Sequence, residues 1–157
     1  MYKRQLLDLY GNTSKRSTVA SVIEPVKDFL STYQADHRVE GTKEMVDLMK
    51  QMINALDGHA SLLVSIAHKD LTPWNCYVNK NALAIYDWEL AQDNTPVLFD
   101  VFHFIFQAGI LVKRQSFSEI QEELDKLLSS LSLKRYIAYN KIDVALHVKL
   151  YLSLIHI

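Results

Sequence analysis

Four glycines serve all 157 residues, at positions 11, 41, 58 and 109, and no two of them are near neighbours. A glycine-rich loop that cradles phosphate needs two or more glycines within about six residues, so P-loop and dinucleotide-fingerprint readings are excluded. Cysteine is rarer still. Cys76 stands alone, which rules out an intramolecular disulfide and a cysteine-based zinc site and suits a reducing cytoplasm, the expected location. Neither sign of charge dominates: 17 lysines and arginines against 18 aspartates and glutamates leave a net charge of -1. No global field draws nucleic acid or an anionic membrane, and neither is an expected partner. Long hydrophobic runs are also missing. Residues 101–112 are interrupted by His103 and Gln107, and residues 144–157 by His147, Lys149 and His156, short of the roughly 20 clean residues of a membrane helix. After Lys3 and Arg4 only Leu6 and Leu7 precede Asp8, too little for a secretory signal.

What is present describes one globular domain over residues 1–157, 49% hydrophobic and 22% charged. A chain of this length buries roughly two thirds of the surface that its unfolded form exposes. Val19, Val22, Ile23, Val26, Phe29 and Leu30 recur at helical spacing, with Pro25 placing the expected start of that helix in its own neighbourhood. Met45, Leu48, Met49, Met52, Ile53 and Leu56 line one core-facing stripe of a second helix over residues 43–56, capped by Thr42 and followed by Gly58. Residues 62–66 form a short apolar run leading to His68. Cys76-Tyr77-Val78, a polar Asn79-Lys80-Asn81 turn and residues 83–86 predict a hairpin. Residues 99–112 are apolar nearly all round and predict a buried helix. Ser118 with Gln121 predicts a capping box for a helix over residues 118–131, and a further helix runs from about residue 134 to the C-terminus. The expected class is α+β, mainly α, with a small central β-hairpin.

The unusual residues concentrate on either side of that hairpin, in His68-Lys69-Asp70-Leu71-Thr72-Pro73-Trp74-Asn75 and in Tyr86-Asp87-Trp88-Glu89. Pro73 disfavours helix at Thr72 and turns the loop between Asp70 and Asn75. The hairpin returns Asp87, at the end of its second strand, towards Asn75, at the start of its first. Hard oxygens on adjacent strand ends suit a magnesium ion that keeps its other positions for phosphate and water. Taken singly, each residue has a plainer reading. Asp70 alone is a loop carboxylate, His103 between two phenylalanines a satisfied core histidine, and Cys76 a small buried hydrophobe. Glu119, Glu122, Glu123 and Asp125 read as the solvated face of a helix.

Together the pieces resemble the catalytic and metal-binding segment of the aminoglycoside phosphotransferase and choline kinase group, relatives of the protein kinases. His68, Asp70 and Asn75 match His-Arg-Asp-x-x-x-x-Asn in spacing, and Asp87-Trp88-Glu89 echoes Asp-Phe-Gly. The Asp-x-Phe-His-Phe element at residues 100–104 stands where that group carries an aspartate bracing the catalytic loop. The resemblance covers about residues 62–112 and implies the C-terminal lobe of a protein-kinase-like fold. It implies ATP as phosphoryl donor, Mg2+ as cofactor and a small-molecule hydroxyl as substrate, in a sugar, an aminoglycoside or an amino alcohol. Asp70 would orient that hydroxyl and take its proton, Asn75 and Asp87 would hold the metal, and His68 and Asp100 would support the loop; substrate-binding residues stay unassigned. Lys69 stands where the group commonly has glycine and the protein kinases arginine. Only 12 residues separate Asp87 from Asp100, too few for the activation segment of a protein kinase. The group's N-terminal nucleotide lobe has no counterpart, because the 67 residues before His68 read as helices. The chain is therefore expected to be a catalytic lobe truncated at both ends and inactive without that lobe. The alternative is a degenerate lobe that binds without catalysis, and metal affinity discriminates the two.

Overall fold

Alternation along strand β2 (Ser61–Ala67) buries both of its faces: Leu62 and Val64 enter one hydrophobic cluster, Leu63 and Ala67 another. The computed structural model, which describes residues 2–33, 42–79 and 82–155, is organised around this strand. It pairs antiparallel on one side with β1 (Lys15–Thr18) and on the other with β5 (Gln92–Pro96). Neither partner is legible in the sequence, because both are edge strands of largely polar residues that carry no hydrophobic alternation. The first cluster joins β2 to α2 (Val19–Thr32) and α3 (Thr42–Asn54). The second gathers α1 (Tyr2–Thr13), α4 (Phe99–Gln107), α5 (Phe117–Leu128), α6 (Leu131–Asn140) and α7 (Val144–Leu154) around Phe99, Phe102, Phe106 and Tyr151. Leu150 of α7 reaches into the first cluster and locks the two together. The predicted hairpin stands apart, β3 (Cys76–Asn79) against β4 (Ala82–Ile85), with Cys76 opposite Ile85 and Asn79 opposite Ala82. Lys80 and Asn81 of its turn lie outside the described residues. The chain is α+β and mainly α, and among the described residues no helix is long and apolar enough to cross a membrane.

Helix boundaries depart from expectation wherever a cap or a distant partner decides them. α2 starts at Val19, well before Pro25: Thr18 is extended and its Oγ1 accepts the Ser21 N–H at 3.4 Å. Proline cannot donate to the Ser21 carbonyl one turn back, and Nδ2 of Asn94 does so instead at 3.3 Å. In α3 the buried stripe is Val46, Met49 and Ile53, while Met45 and Leu48 are exposed, so the core face is rotated from the expected one. The side chain of Thr42, the expected cap, lies outside those described. After Gln107 the chain widens into a π-helical turn, Ala108–Lys113, which brings Ile110, Leu111 and Val112 to the surface rather than into the expected buried helix. The capping box of α5 is Ser116 with Glu119, not Ser118 with Gln121. Ser116 Oγ accepts the Glu119 N–H, and Glu119 Oε2 accepts the Ser116 N–H at 2.7 Å, a carboxylate being the stronger acceptor. The single C-terminal helix is two, α6 closing at the left-handed Lys141 and α7 opening where Asp143 Oδ1 accepts the Leu146 N–H at 3.0 Å.

Gly109 is required by close approach, since a Cβ there would stand 2.6 Å from Cγ1 of the buried Ile120. Gly109→Ala is expected to cost about 1–3 kcal/mol of stability in urea unfolding. His147 is buried in α7 with Nδ1–H donating to the Asp143 carbonyl at 2.7 Å. Burial lowers its pKa from the ordinary 6.5, against the pull of that hydrogen bond. The unfolded chain thus takes up the proton first, and stability should decline as pH falls below about 6.5. His147→Gln should lessen that decline, measured as the urea midpoint across the same range.

Candidate active site

Strand β2 hands the chain to His68, which is 1% exposed. Both ring nitrogens are committed: Nδ1 accepts the Asp70 N–H at 3.3 Å, so Nε2 carries the proton and donates to the Tyr86 carbonyl at 2.6 Å. Trp88 stands edge-on to the ring, with centroids 4.8 Å apart. His68 therefore ties the loop to the end of the hairpin. Buried Leu71 and Thr72 anchor the next stretch, with Thr72 extended at φ -130° as Pro73 requires, and one 3-10 turn (Pro73–Asn75) leads into β3. Asn75 turns back on Asp70, its Nδ2 donating to the Asp70 carbonyl at 2.9 Å and to carboxylate Oδ2 at 2.8 Å. Both partners are acceptors, which fixes the amide orientation and directs Oδ1 elsewhere.

Asp100 lies in the first turn of α4 and is fully buried. Its Oδ2 accepts the His68 N–H and its Oδ1 the Lys69 N–H, each at 2.9 Å. Burial pushes its pKa up from the usual carboxylate value, while the two backbone donors and the nearby His68 and His103 pull it down. Lys69, held by this clamp, has φ 67°, in the left-handed region where glycine is at ease and a lysine is strained by about 1–2 kcal/mol. The residue type that the resembling group prefers there thus has a conformational reason.

One turn further along α4, His103 donates Nε2–H to Asp70 Oδ1 at 3.3 Å; the acceptor is a carboxylate, which settles the donor's identity. Burial lowers the pKa of His103 against the attraction of Asp70. The expected satisfied core histidine is buried but not satisfied: Nδ1 has no partner. The available sequence signal was Asp100-x-x-His103, a spacing that puts both side chains on one helix face.

The hairpin ladder gains one bond beyond β4, the Tyr86 N–H donating to the Asn75 carbonyl at 3.0 Å. Asp87 follows directly. It is exposed, left-handed at φ 64°, and opens the 3-10 turn Trp88–Leu90 without using its side chain as a cap. The fold thus gathers His68, Asp70, Asn75, Asp100 and His103 into one hydrogen-bonded network and sets Asp87 beside it, outside the network. Among the described residues no group of three or more His, Cys, Asp and Glu could hold a metal. Asn75 Oδ1 and the Asp87 carboxylate would supply only two oxygens, a number that fits a magnesium ion only if phosphates and water complete its shell. Cys76 is half-buried with its thiol pKa raised by burial and by Asp100, and it lines an apolar cavity of ≈ 370 Å³ with Leu71, Val101 and Phe104. Glu119 and Glu123 are engaged locally, by Ser116 and by Lys113 with Gln115.

Comparison of the chain with family models, with curated proteins and with solved structures finds no match.

Asp100→Asn puts an NH2 group where a backbone N–H now finds an oxygen. It should destabilise the protein by about 1–3 kcal/mol in urea unfolding and speed amide exchange at His68 and Lys69.

Proposed function

We propose that this chain is the catalytic lobe of an ATP-dependent phosphotransferase, resembling the aminoglycoside phosphotransferase and choline kinase group, that phosphorylates a hydroxyl of a small molecule. The observation that carries this reading is the state of Asp70. Its side chain is 37% exposed, and its two oxygens are held one each by the N–H donors of Asn75 and His103. A carboxylate oriented from behind and open in front suits a base that receives the proton of an acceptor hydroxyl. Phosphoryl transfer leaves proteins little covalent work, so fixing that carboxylate is the main task. Asp100 and His68 do it through the loop backbone, and Asn75 does it directly while keeping Oδ1 for a metal.

A bound Mg2+ would be held by Asn75 Oδ1 and Asp87 and would supply neutralisation of phosphate charge. Trp74, Tyr77, Tyr86 and Trp88, within two residues of Asn75 or Asp87 in the sequence, are 55%, 58%, 56% and 42% exposed. Large apolar surface at this place suits cover by a nucleotide-binding lobe encoded outside these 157 residues, which in this reading completes the ATP site.

Metal binding tests the reading against a degenerate lobe. Mn2+ accepts the same oxygen ligands and broadens NMR signals near it. Titrated with ATP present to supply the phosphate ligands, it should broaden Asn75 and Asp87 first, and Asp87→Ala should abolish that selectivity; uniform or absent broadening would favour the lobe that binds without catalysis. Asp70→Ala should leave the metal response intact and, in the enzyme completed by its nucleotide lobe, lower kcat of phosphoryl transfer by on the order of a hundredfold.

A further inference from the structure

We propose that His103 is a positioning residue for Asp70, an imidazole whose Nε2–H fixes the plane of the carboxylate that meets the acceptor hydroxyl. The proposal deepens the phosphotransferase reading and rests on it. With Nδ2 of Asn75 on Oδ2 at 2.8 Å and Nε2 of His103 on Oδ1 at 3.3 Å, each oxygen has its own donor. One donor alone would leave the carboxylate a pivot; two stop its rotation. The histidine is itself held by its surroundings, lying 11° from parallel to Phe99 and edge-on to Tyr151, with ring centroids 6.0 and 6.1 Å away.

Its other nitrogen argues that packing is not the reason for a histidine here. Nδ1 is buried without a partner, and an apolar ring at position 103 would fill the same space with no orphaned polar atom. Asp100 and His103, three residues apart on α4, divide the work: one holds the loop's main chain, the other its carboxylate. During transfer the acceptor proton passes to Asp70 as the acceptor oxygen bonds the γ-phosphorus and the ADP oxygen departs. His103 keeps its own proton throughout.

Two substitutions in the full chain separate positioning from packing. His103→Phe keeps a ring against Phe99 and loses the donor, whereas His103→Gln loses the ring and keeps an N–H donor at the end of a side chain of similar reach. Long-range proton–nitrogen NMR of the unsubstituted chain should find the His103 proton on Nε2 and none on Nδ1. The carboxyl carbon signal of Asp70, assigned by its loss in Asp70→Ala, should move in His103→Phe and return towards its original position in His103→Gln, whichever variant melts lower. In the enzyme completed by its nucleotide lobe, phosphoryl transfer should show about a tenfold lower kcat in His103→Phe with nucleotide KM unchanged, recovered in His103→Gln. A proton on Nδ1, or an Asp70 signal or kcat indifferent to His103→Phe, would overturn the proposal. The tautomer decides alone should neither variant fold. Failure of the phosphotransferase reading is recorded separately, by the absence of selective Mn2+ broadening at Asn75 and Asp87.

Discussion

Two main-chain N–H groups, of His68 and Lys69, converge on the buried carboxylate of Asp100, and the geometry of the site follows from that contact. A carboxylate removed from water is costly, and here the cost is offset by donors on both oxygens and by the N-terminal turn of α4, whose unpaired N–H groups favour negative charge. The same contact joins the end of β2 to the start of α4, elements 32 residues apart in the case of His68 and Asp100. It holds the chain in the turn that presents Asp70.

Backbone strain collects around this junction. Lys69, Asp87 and Leu98 all have positive φ without being glycine, and each sits at the entrance or exit of the loop, the hairpin or α4. Arg114 and Lys141 share the conformation but merely close helices, where it is ordinary, and Asn94 in β5 is of a residue type that enters it readily. At the other three the surrounding structure must outweigh an expense of about 1–2 kcal/mol per residue. Leu98 is fully buried, between Val97 and Phe99 in the larger hydrophobic cluster, and Lys69 is clamped by Asp100.

That cluster is also what keeps α4 in place. Tyr151 of α7 packs against Phe99, Phe102 and Phe106, ring centroids 5.2, 5.8 and 5.4 Å away, so successive turns of α4 rest on one side chain. Aromatic contact of this kind contributes beyond area burial and, being tightly packed, resists rotation of the helix. Rotation would carry Asp100 and His103 away from the loop together. The hydrophobic core thus sets the hydrogen-bond geometry at Asp70 through a single helix face.

By itself the sequence determined the local units: the hairpin from Cys76 to Ile85, the spacing of His68, Asp70 and Asn75, and the stop that Pro73 imposes on helix at Thr72. These depend on covalent distance and on backbone sterics, which neighbouring residues carry with them wherever they fold. It also contained α2 and α3 as periodic patterns, α4 as a run apolar nearly all round and α5 behind a capping box, with uncertain ends. The ends were decided elsewhere, as at Ser21, whose carbonyl finds Asn94 across the fold and lets α2 run through Pro25. β1 and β5 were invisible because an edge strand needs a partner more than a pattern. His103 looked like core because its neighbours are phenylalanines, and its bond to Asp70 spans 33 residues. Only the packing of α4 beside the end of β2 brings that pair within reach, and no local preference encodes a distance between residues so far apart in the chain.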